Sequence, residues 1–201
     1  TQTNEAKVGK VAYTTLQEAV KAAKENETVV VLKDIELAQQ VDLTTAITLD
    51  LNGKTITTKQ KNAFYVFDDL KVLNGTIKNT NVAGRCLNTR NDVELTLENV
   101  VLKVTGNGNT QPLTIGGTTN GTKVLVKDSI IDAGVAGYGI IVFVESDIEI
   151  VDSFISGYSA IYVKEGSEGS NINIVSSELN SVNNSNAVTN VFGVIVLEDN
   201  I

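Results

Sequence analysis

The amino-acid sequence predicts an all-β fold: a single-stranded right-handed parallel β-helix with three sheets, about six to eight coils and an N-terminal capping α-helix. Two apolar residues five positions apart recur six times, and successive pairs begin 21, 25, 29, 24 and 24 residues apart. A repeat of this length with variable insertions is typical of a solenoid, in which each coil stacks on its neighbours. The pairs are Leu51/Ile56, Val72/Ile77, Leu97/Leu102, Val126/Ile131, Ile150/Ile155 and Ile174/Leu179.

Residues 1–27 are predicted to form a cap with a helix over about residues 15–25. A capping box can form there in two registers, Thr14 with Gln17 or Thr15 with Glu18. Apolar residues follow at helical spacing, and lysines lie near the predicted end, where cations interact favourably with the helix dipole. An amphipathic helix of this kind can cover the apolar end of a first coil.

Residues 28–201 are predicted to form the coils, so that residues 1–201 make a single β-helix domain. Each coil has three strand-like segments separated by turn residues, with no helix between them. Crossovers between parallel strands are right-handed in nearly all proteins, which predicts the hand of the helix. The predicted inward residues of the third segment are Phe64 and Val66, Leu87, Leu113 and Ile115, Ile140 and Val142, Ile161 and Val163, and finally Val194 and Val196.

A column of small polar residues marks the bend between the first and second segments. In stacked coils, equivalent residues lie about 4.8 Å apart. Asn, Asp and Ser side chains stabilise turns by hydrogen bonding to nearby backbone groups, so this column is predicted to be structural. Its members are Asn74, Asn99, Asp128, Asp152 and Ser176.

Composition narrows the range of functions. A net charge of −8 and the presence of only two arginines, Arg85 and Arg90, argue against a nucleic-acid partner. No apolar run approaches the ~18 residues that a membrane span requires. The single cysteine, Cys86, is predicted to be a buried, unreactive thiol. The absence of histidine excludes His-based triads and most zinc sites.

Three segments carry a family resemblance: YTTLQEAV at residues 13–20, VLKD at residues 31–34 and ITLDLNG at residues 47–53. With these segments and its stacked coils, the chain resembles the pectate-lyase-like β-helix superfamily, and in particular the β-helix domains of secreted and surface proteins of gut bacteria. The resemblance covers essentially the whole chain. It implies the β-helix fold and a bacterial extracellular or cell-surface location.

The resemblance also implies enzymes that cleave polysaccharides. The galacturonase-type members use clustered aspartates with a histidine, so that branch does not fit a chain without histidine. The pectate-lyase-type members use Ca²⁺ held by carboxylates, with Arg or Lys as base. Asp128 and Asp152, at equivalent corners of neighbouring coils, are the candidate metal ligands for Ca²⁺. The repeat places no basic residue beside them, so we predict no catalytic residue and no cofactor other than Ca²⁺.

The outward positions of the third sheet are the predicted ligand-binding surface. Aromatic rings flanked by amide and cationic groups can stack on sugars or contact a protein. The successors of the inward residues are Tyr65, Asn88, Thr114, Ile141 and Tyr162, followed two positions later by Phe67, Arg90, Gly116, Phe143 and Lys164. The candidate ligand-binding residues are Tyr65, Phe67, Asn88, Arg90, Phe143, Tyr162 and Lys164. The alternative is that loops at residues 103–111 or 181–192 fold over this surface and bury it.

These observations favour a noncatalytic, adhesin-like or glycan-contacting module of a bacterial secreted or surface protein, with a glycan or a host or surface protein as partner. One alternative is a polysaccharide lyase or glycoside hydrolase that uses carboxylates with Ca²⁺. Another is a structural spacer within a longer surface stalk. The final strand-like segment, residues 194–197, has no polar cap after it. Such a coil is expected to continue into further coils, to mark a boundary of the segment, or to pair with another chain, which would include self-association through the C-terminal coil.

Overall fold

The computed structural model describes residues 3–182, 188–189 and 194–198. The N-terminal elements are β1 (Ala6–Val8), β2 (Val11–Tyr13) and α1 (Leu16–Ala22). The next strands are β3 (Thr28–Val31), β4 (Ile35–Leu37), β5 (Val41–Leu43), β6 (Ile47–Asp50), β7 (Thr55–Thr58), β8 (Asn62–Val66), β9 (Leu70–Asn79), β10 (Arg85–Thr89) and β11 (Glu94–Val104). The last strands are β12 (Leu113–Ile115), β13 (Thr122–Lys127), β14 (Ile130–Asp132), β15 (Tyr138–Val142), β16 (Ser146–Val151), β17 (Phe154–Gly157), β18 (Ser159–Val163), β19 (Asn171–Val175), β20 (Glu178–Ser181), β21 (Val188–Thr189) and β22 (Val194–Glu198).

These strands form a parallel β-solenoid of about six turns, which confirms the predicted fold class. Each coil contributes one strand to each of three stacks, and every strand of β3 to β22 pairs in parallel with its equivalent in the neighbouring coil. The first and second stacks join into one 15-stranded sheet because β9 and β11 continue through the corner between them, whereas the third stack is a separate 7-stranded sheet.

The N-terminal cap contains two strands in addition to the predicted helix. Strand β1 pairs antiparallel with both β2 and β3, so this hairpin covers the edge of the first stack. The capping box of α1 uses the second register, in which Thr15 Oγ1 accepts from Glu18 N (3.2 Å) and Thr15 N donates to the Glu18 carboxylate (3.1 Å). Leu16, Ala19 and Val20 of α1 are buried.

The helix ends at Ala22, three residues before the predicted end. Ala23 is extended, with φ −66° and ψ 136°. The amide of Lys24 donates to the Glu27 carboxylate (2.8 Å), and the amide of Asn26 donates to the Ala46 carbonyl (2.8 Å). A longer helix would need these backbone donors, so their bonds within the turn and to the next coil end it at this point.

The core is a continuous set of aliphatic columns that run through the coils. The second-stack column pairs Ile56, Ile77, Leu102, Ile131, Ile155 and Leu179 in register, as the repeat predicts. In the first stack, however, Leu49 rather than Leu51 pairs with Val72. Two consecutive left-handed residues, Asn52 (φ 51°) and Gly53 (φ 72°), lengthen that corner and shift the first apolar pair by two residues.

The polar column at the corner between the first and second stacks supplies the left-handed backbone conformation of the turn. All of its members have positive φ, between 48° and 56°. Asn and Asp adopt this left-handed conformation at less cost than most residues, which explains their selection at the bend. The residues are Asn74, Asn99, Asp128, Asp152 and Ser176.

A ladder of buried serines follows this column by one residue. Ser129 Oγ accepts from Val100 N, Ser153 Oγ accepts from Ser129 N, and Ser177 Oγ accepts from Ser153 N, each at 3.1 Å. Each hydroxyl also donates to a carbonyl of its own coil at 2.7 Å. The hydroxyls therefore satisfy backbone groups where the chain turns away from regular pairing.

The end of the described chain differs from the prediction. Val194 and Val196 lie in β22, which pairs with β19 of the first stack, so they do not belong to the third segment. The third-stack strand of that coil is β21, paired with β18. The prediction assigned these valines to the wrong stack because the third-stack strand of that coil, Val188–Thr189, has only two residues and no alternation that would identify it. Self-association through this coil stays a prediction, since most of residues 183–201 lie outside the described residues.

Candidate functional site

The outer face of the third stack carries three rows of side chains that run across the coils. Strand pairing places the central row in register: Asp42, Tyr65, Asn88, Thr114, Ile141 and Tyr162. The C-terminal row lies two residues further along each strand and consists of Phe67, Arg90, Gly116, Phe143 and Lys164. The N-terminal row precedes the central row by three residues and consists of Asn62, Arg85, Gln111, Tyr138 and Ser159.

The middle of the central row is not exposed, in contrast to the predicted exposed strip. The exposed fractions are 2% for Asn88, 3% for Thr114 and 2% for Ile141. Side chains of the N-terminal row bond to this part of the row: Asn88 Nδ2 donates to Asn62 Oδ1 (3.2 Å), and Thr114 Oγ1 lies 3.3 Å from Gln111 Oε1. The floor of the surface is therefore buried, whereas Arg90 and Phe143 on its margin are exposed.

The N-terminal row was not predicted to face outward. Strict alternation would place Asn62 and Tyr65 on opposite faces, yet Asn62 Nδ2 lies 3.4 Å from the Tyr65 hydroxyl. A bend at the start of each third-stack strand breaks this alternation and turns a small residue toward the core. Cys86 is an example, because its Sγ lies 3.4 Å from the Ile77 carbonyl. The small residues of this inward column are Ala63, Cys86, Pro112, Gly139 and Ala160. Their size is the sequence signal that could have identified the bend.

Both arginines of the chain lie on this face. The Arg90 guanidinium carbon lies 4.9 Å from the centroid of the Tyr65 ring, within cation–π range. Arg85 donates from Nε to Gln111 Oε1 (2.8 Å). Burial lowers the pKa of Arg85, the neighbouring Tyr65 raises it, and the positive charge of Arg90 lowers it. Burial is the largest of these effects, so the pKa of Arg85 lies below its ordinary value.

Aromatic side chains lie at both ends of the face. Phe67 contacts the Tyr65 ring edge-on, with 6.1 Å between centroids. At the other end, the Tyr138 and Tyr162 rings lie 4.6 Å apart. Lys164 Nζ lies 5.4 Å from the Phe143 centroid and 5.7 Å from that of Tyr162. Cations and aromatic rings thus alternate along the surface.

A groove of about 250 Å³ lies between these two ends. Hereafter "the groove" means the space lined by Arg85, Asn88, Arg90, Thr114, Gly116, Gly117 and Phe143. The structure thereby brings together Asn88, Arg90 and Phe143 of the predicted ligand-binding residues. Tyr65 contacts Arg90 at one end of the groove, and Lys164 and Tyr162 adjoin Phe143 at the other. Phe67 contacts only the outer edge of this group, through Tyr65.

Asn88, which lines the groove, has an unsatisfied acceptor. Asn62 donates from Nδ2 to the Tyr65 hydroxyl. Its other side-chain atom, Oδ1, accepts from Asn88 Nδ2. This network orients the Asn88 amide, whose Oδ1 is buried and has no hydrogen-bond partner in the described part of the chain. Buried polar atoms are nearly always paired, so this one requires an explanation.

The candidate metal ligands lie at a different corner of the solenoid. Asp128 and Asp152 are exposed and line a side groove of about 590 Å³ together with Ser176 and Glu178. Asp128 Oδ2 lies 3.9 Å from Lys127 Nζ. Within residues 3–182, 188–189 and 194–198, no group of three or more Asp, Glu, Cys or His side chains is placed to hold a metal ion. The Ca²⁺ site stays a prediction that rests on two carboxylates.

A groove of about 470 Å³ lies on the outer face of the first stack. Two of its three carboxylates bond to side chains of neighbouring coils. Lys123 Nζ lies 3.2 Å from the Glu94 carboxylate, and Asn171 Nδ2 donates to the Asp147 carboxylate (2.8 Å). These contacts occupy Glu94 and Asp147, and we do not assign a site there.

Comparisons with known protein families, with curated proteins and with solved structures find no match for this chain. The only helix among the described residues, α1, is too short to cross a membrane. The geometry of the third-stack groove is therefore the basis for a functional proposal.

Proposed function

We propose that this chain is a noncatalytic β-helix module of a bacterial secreted or cell-surface protein, and that it contacts glycans through the groove. Membership of the pectate-lyase-like superfamily and the extracellular location belong to this proposal, because they rest on the resemblance of the sequence. The observation that carries the proposal is the combination of an exposed Phe143, half-buried tyrosine rings, guanidinium groups and a buried amide acceptor around one concave space.

Each component suits a sugar. Aromatic faces stack on the apolar C–H faces of sugar rings, and amide and guanidinium groups bond to hydroxyls. A groove of about 250 Å³ is smaller than the pockets of about 300–1,000 Å³ that enclose drug-sized ligands. We therefore expect it to hold one sugar residue of a chain, with the neighbouring residues lying along the outer face.

The alternatives have less support in the described residues. A Ca²⁺-dependent lyase needs a base and a cation beside the same carboxylates. Among the residues that the structure describes, the only cation paired with the Asp128 carboxylate is Lys127, at 3.9 Å, and the two arginines lie on the third stack. A spacer role gives no reason for an unsatisfied buried acceptor or for two arginines that line one groove.

A glycan array tests the proposal. We expect the wild-type protein to bind a subset of glycans, and Tyr65→Ala and Phe143→Ala to weaken that binding about tenfold or more, as the loss of central aromatic contacts does at other interfaces. Tyr158→Ala is the matched control, because Tyr158 is an exposed aromatic that does not line the groove. Wild-type binding that both groove variants retain would contradict the proposal.

The same array, run with Ca²⁺ and with a chelator, separates the alternatives. Release of unsaturated products from an acidic polysaccharide only when Ca²⁺ is present would favour the lyase. Absence of binding to every glycan under both conditions would favour the spacer. The proposed module binds in both conditions and releases no product.

A further inference from the structure

We infer that the protein associates side by side with a second copy of itself, in a two-fold arrangement, through the corner between the second and third stacks. This contact does not depend on the proposed binding of glycans. Hereafter "the ridge" means the described loops at this corner, which are residues 38–40, 59–61, 80–84, 105–112, 133–137, 158 and 182.

Exposed apolar side chains concentrate on the ridge. Val82 and Val135 have exposed fractions of 62% and 59%, the largest of any large apolar side chain that the structure describes. Tyr158 and Val182 are exposed as well. Neighbouring coils lie about 4.8 Å apart, so these four side chains fall within about 20 Å along one edge of the solenoid. Contiguous exposed apolar side chains are typical of interaction surfaces.

The ridge also has no carboxylate within its described loops, and its charged residues are Lys59 and Lys61. The chain as a whole has 24 acidic residues and a net charge of −8. Carboxylates lie on the outer faces of all three stacks and at both other corners. Six are in the loops between the third and first stacks: Asp68, Asp69, Asp92, Glu145, Glu165 and Glu168.

Hydrogen bonds join the loops of the ridge into one ordered surface. Gly108 N donates to the Val82 carbonyl (2.8 Å), and Tyr158 N donates to the Gly137 carbonyl (2.7 Å). The loops approach so closely that a Cβ on Gly108 would lie 2.7 Å from the Val82 carbonyl oxygen. The exposed side chains are therefore held on a preorganised surface, which lowers the entropy lost on association.

The order of the loops along the ridge is complementary to itself. Loop 105–112 is the fourth of the seven, with the loop of Val82 one coil before it and the loop of Val135 one coil after it. A two-fold axis through loop 105–112 places Val82 against Val135 of the second copy. It also places loop 59–61 against Tyr158 of the second copy, so that lysines face an aromatic ring rather than other lysines.

Charge favours a second copy over an anionic lipid surface as the occupant. Anionic lipids attract clusters of basic residues. The ridge has only two lysines in its described loops, and Lys59 is paired with Glu36 (3.3 Å). A second copy, by contrast, is repelled by the carboxylates of the other surfaces and meets none in these loops.

The size of the ridge predicts the strength of the contact. Six coil spacings of about 4.8 Å make an edge about 29 Å long. A contact along one such edge buries less than the roughly 800 Å² per partner of a standard interface. We therefore expect weak association that is detected at high protein concentration.

Sedimentation velocity over a range of protein concentrations tests the inference. We expect the average mass of the wild-type protein to rise from monomer toward dimer, and to rise further at high salt, because salt screens the repulsion between two chains of charge −8. Val82→Glu and Val135→Glu each bury a carboxylate in the contact and should weaken association about tenfold or more. Val11→Glu is the matched control, because Val11 has an exposed fraction of 57% and lies in the N-terminal hairpin.

Disulfide trapping tests the two-fold register. The only cysteine of the chain, Cys86, is buried. Val82→Cys and Val135→Cys, combined in one chain, should give a disulfide-linked dimer on oxidation. Val82→Cys alone should not, because its two copies would lie about 10 Å apart along the ridge, beyond the Cα separation of about 4.4–6.8 Å that a disulfide allows. The same distance prevents a disulfide between residues 82 and 135 within one chain.

Four results would overturn the inference. The first is a wild-type protein that stays monomeric at every concentration and salt. The second is a dimer that Val82→Glu and Val135→Glu leave unchanged, which would favour a contact through the C-terminal coil. The third is a dimer trapped equally well by Val82→Cys alone. The fourth is binding of the wild-type protein, but not of Val82→Glu, to phosphatidylserine vesicles, which would assign the ridge to a lipid surface.

Thermal unfolding of each variant shows whether it is folded, and all of the substituted valines are exposed. The glycan array reports on the groove and sedimentation reports on the ridge, so the glycan-contacting function and the two-fold contact can fail separately.

Discussion

At the scale of single residues, buried polar side chains of the solenoid differ in whether all of their hydrogen bonds are made inside the protein. Serines at the first corner satisfy backbone groups of adjacent coils, and each makes both of its hydrogen bonds inside the protein. Asn88 also bonds to the coil before it, through Asn62, but leaves one acceptor unmet. Leaving a buried acceptor unmet costs about 1–3 kcal/mol. Asn88 shares this feature with Asn173 on the first stack and differs in it from the corner serines.

Cys86 provides a prediction at this scale. Burial raises the pKa of its thiol to about 12, whereas an exposed thiol ionises near 9. The folded state therefore holds the neutral thiol above pH 9, where the unfolded chain loses its proton. The stability that this thiol contributes is complete below pH 9 and falls by about 1.4 kcal/mol per pH unit as pH rises toward 12.

Urea unfolding between pH 8 and 10.5 measures this effect, and Cys86→Ala provides the reference, because the remaining groups titrate equally in both proteins. We expect the difference in free energy of unfolding between the two proteins to shrink as pH rises above 9. A constant difference, or rapid labelling of the folded protein by a thiol reagent at pH 8, would show that the thiol is accessible.

The sequence predicted some of the site residues and not others, for a physical reason. Alternation along a strand identifies Tyr65, Asn88 and Tyr162 as one row, because the period of two is set by the backbone. It does not identify Arg85 as part of the same surface, since a bend before the strand breaks the alternation. It also does not predict that Asn88 is buried, because that depends on lateral contacts with Asn62.

At the scale of elements, the corner between the first and second stacks determines how the coils repeat. One left-handed residue turns the chain in most coils, and two do so at Asn52 and Gly53. Gly75 shows how closely the coils approach there, since a Cβ on it would lie 2.5 Å from Leu51 Cβ. The corner thus needs residues that tolerate positive φ, next to a residue that leaves space for the neighbouring coil.

Asp128, with φ 49°, allows the structural and metal-binding interpretations of this corner to be separated. Asparagine tolerates the left-handed conformation, so Asp128→Asn should change the free energy of unfolding by less than about 0.5 kcal/mol, whereas Asp128→Val should cost about 1–2 kcal/mol. Thermal unfolding with and without Ca²⁺ measures both effects. If Ca²⁺ stabilises the wild-type protein but not Asp128→Asn, the corner binds the metal as well.

Strands were predicted correctly where the same short apolar pattern recurs in every coil. The aliphatic columns could be predicted because each strand is one of several equivalent copies. Strands β1 and β2 have three residues each and no equivalent in the repeat, so nothing in their sequence distinguishes them from a loop. The end of α1 depends on the bond of Lys24 within the turn and on that of Asn26 to the next coil, which propensity does not include.

At the scale of the whole molecule, the coils are interchangeable in register, and this permits a final prediction. Removal of residues 128–151 joins Lys127 to Asp152, which occupies the same corner position as Asp128 and has the same φ of 49°. Ser153 then replaces Ser129 beneath Val100, so the serine ladder and the aliphatic columns stay continuous. In a solenoid, stability is approximately a sum over coils and their interfaces, so the shortened protein should fold with a lower free energy of unfolding.

Chemical unfolding followed by circular dichroism measures this outcome. We expect the protein without residues 128–151 to retain a β-sheet spectrum and a cooperative transition, with a smaller m-value because less surface is buried. The control removes residues 128–139, half of this 24-residue segment, which would place third-stack residues at a first-stack corner and should prevent folding. If both deletions behave alike, the coils are not equivalent units. The first deletion also removes Phe143 from the groove, so the folded shortened protein should lose glycan binding.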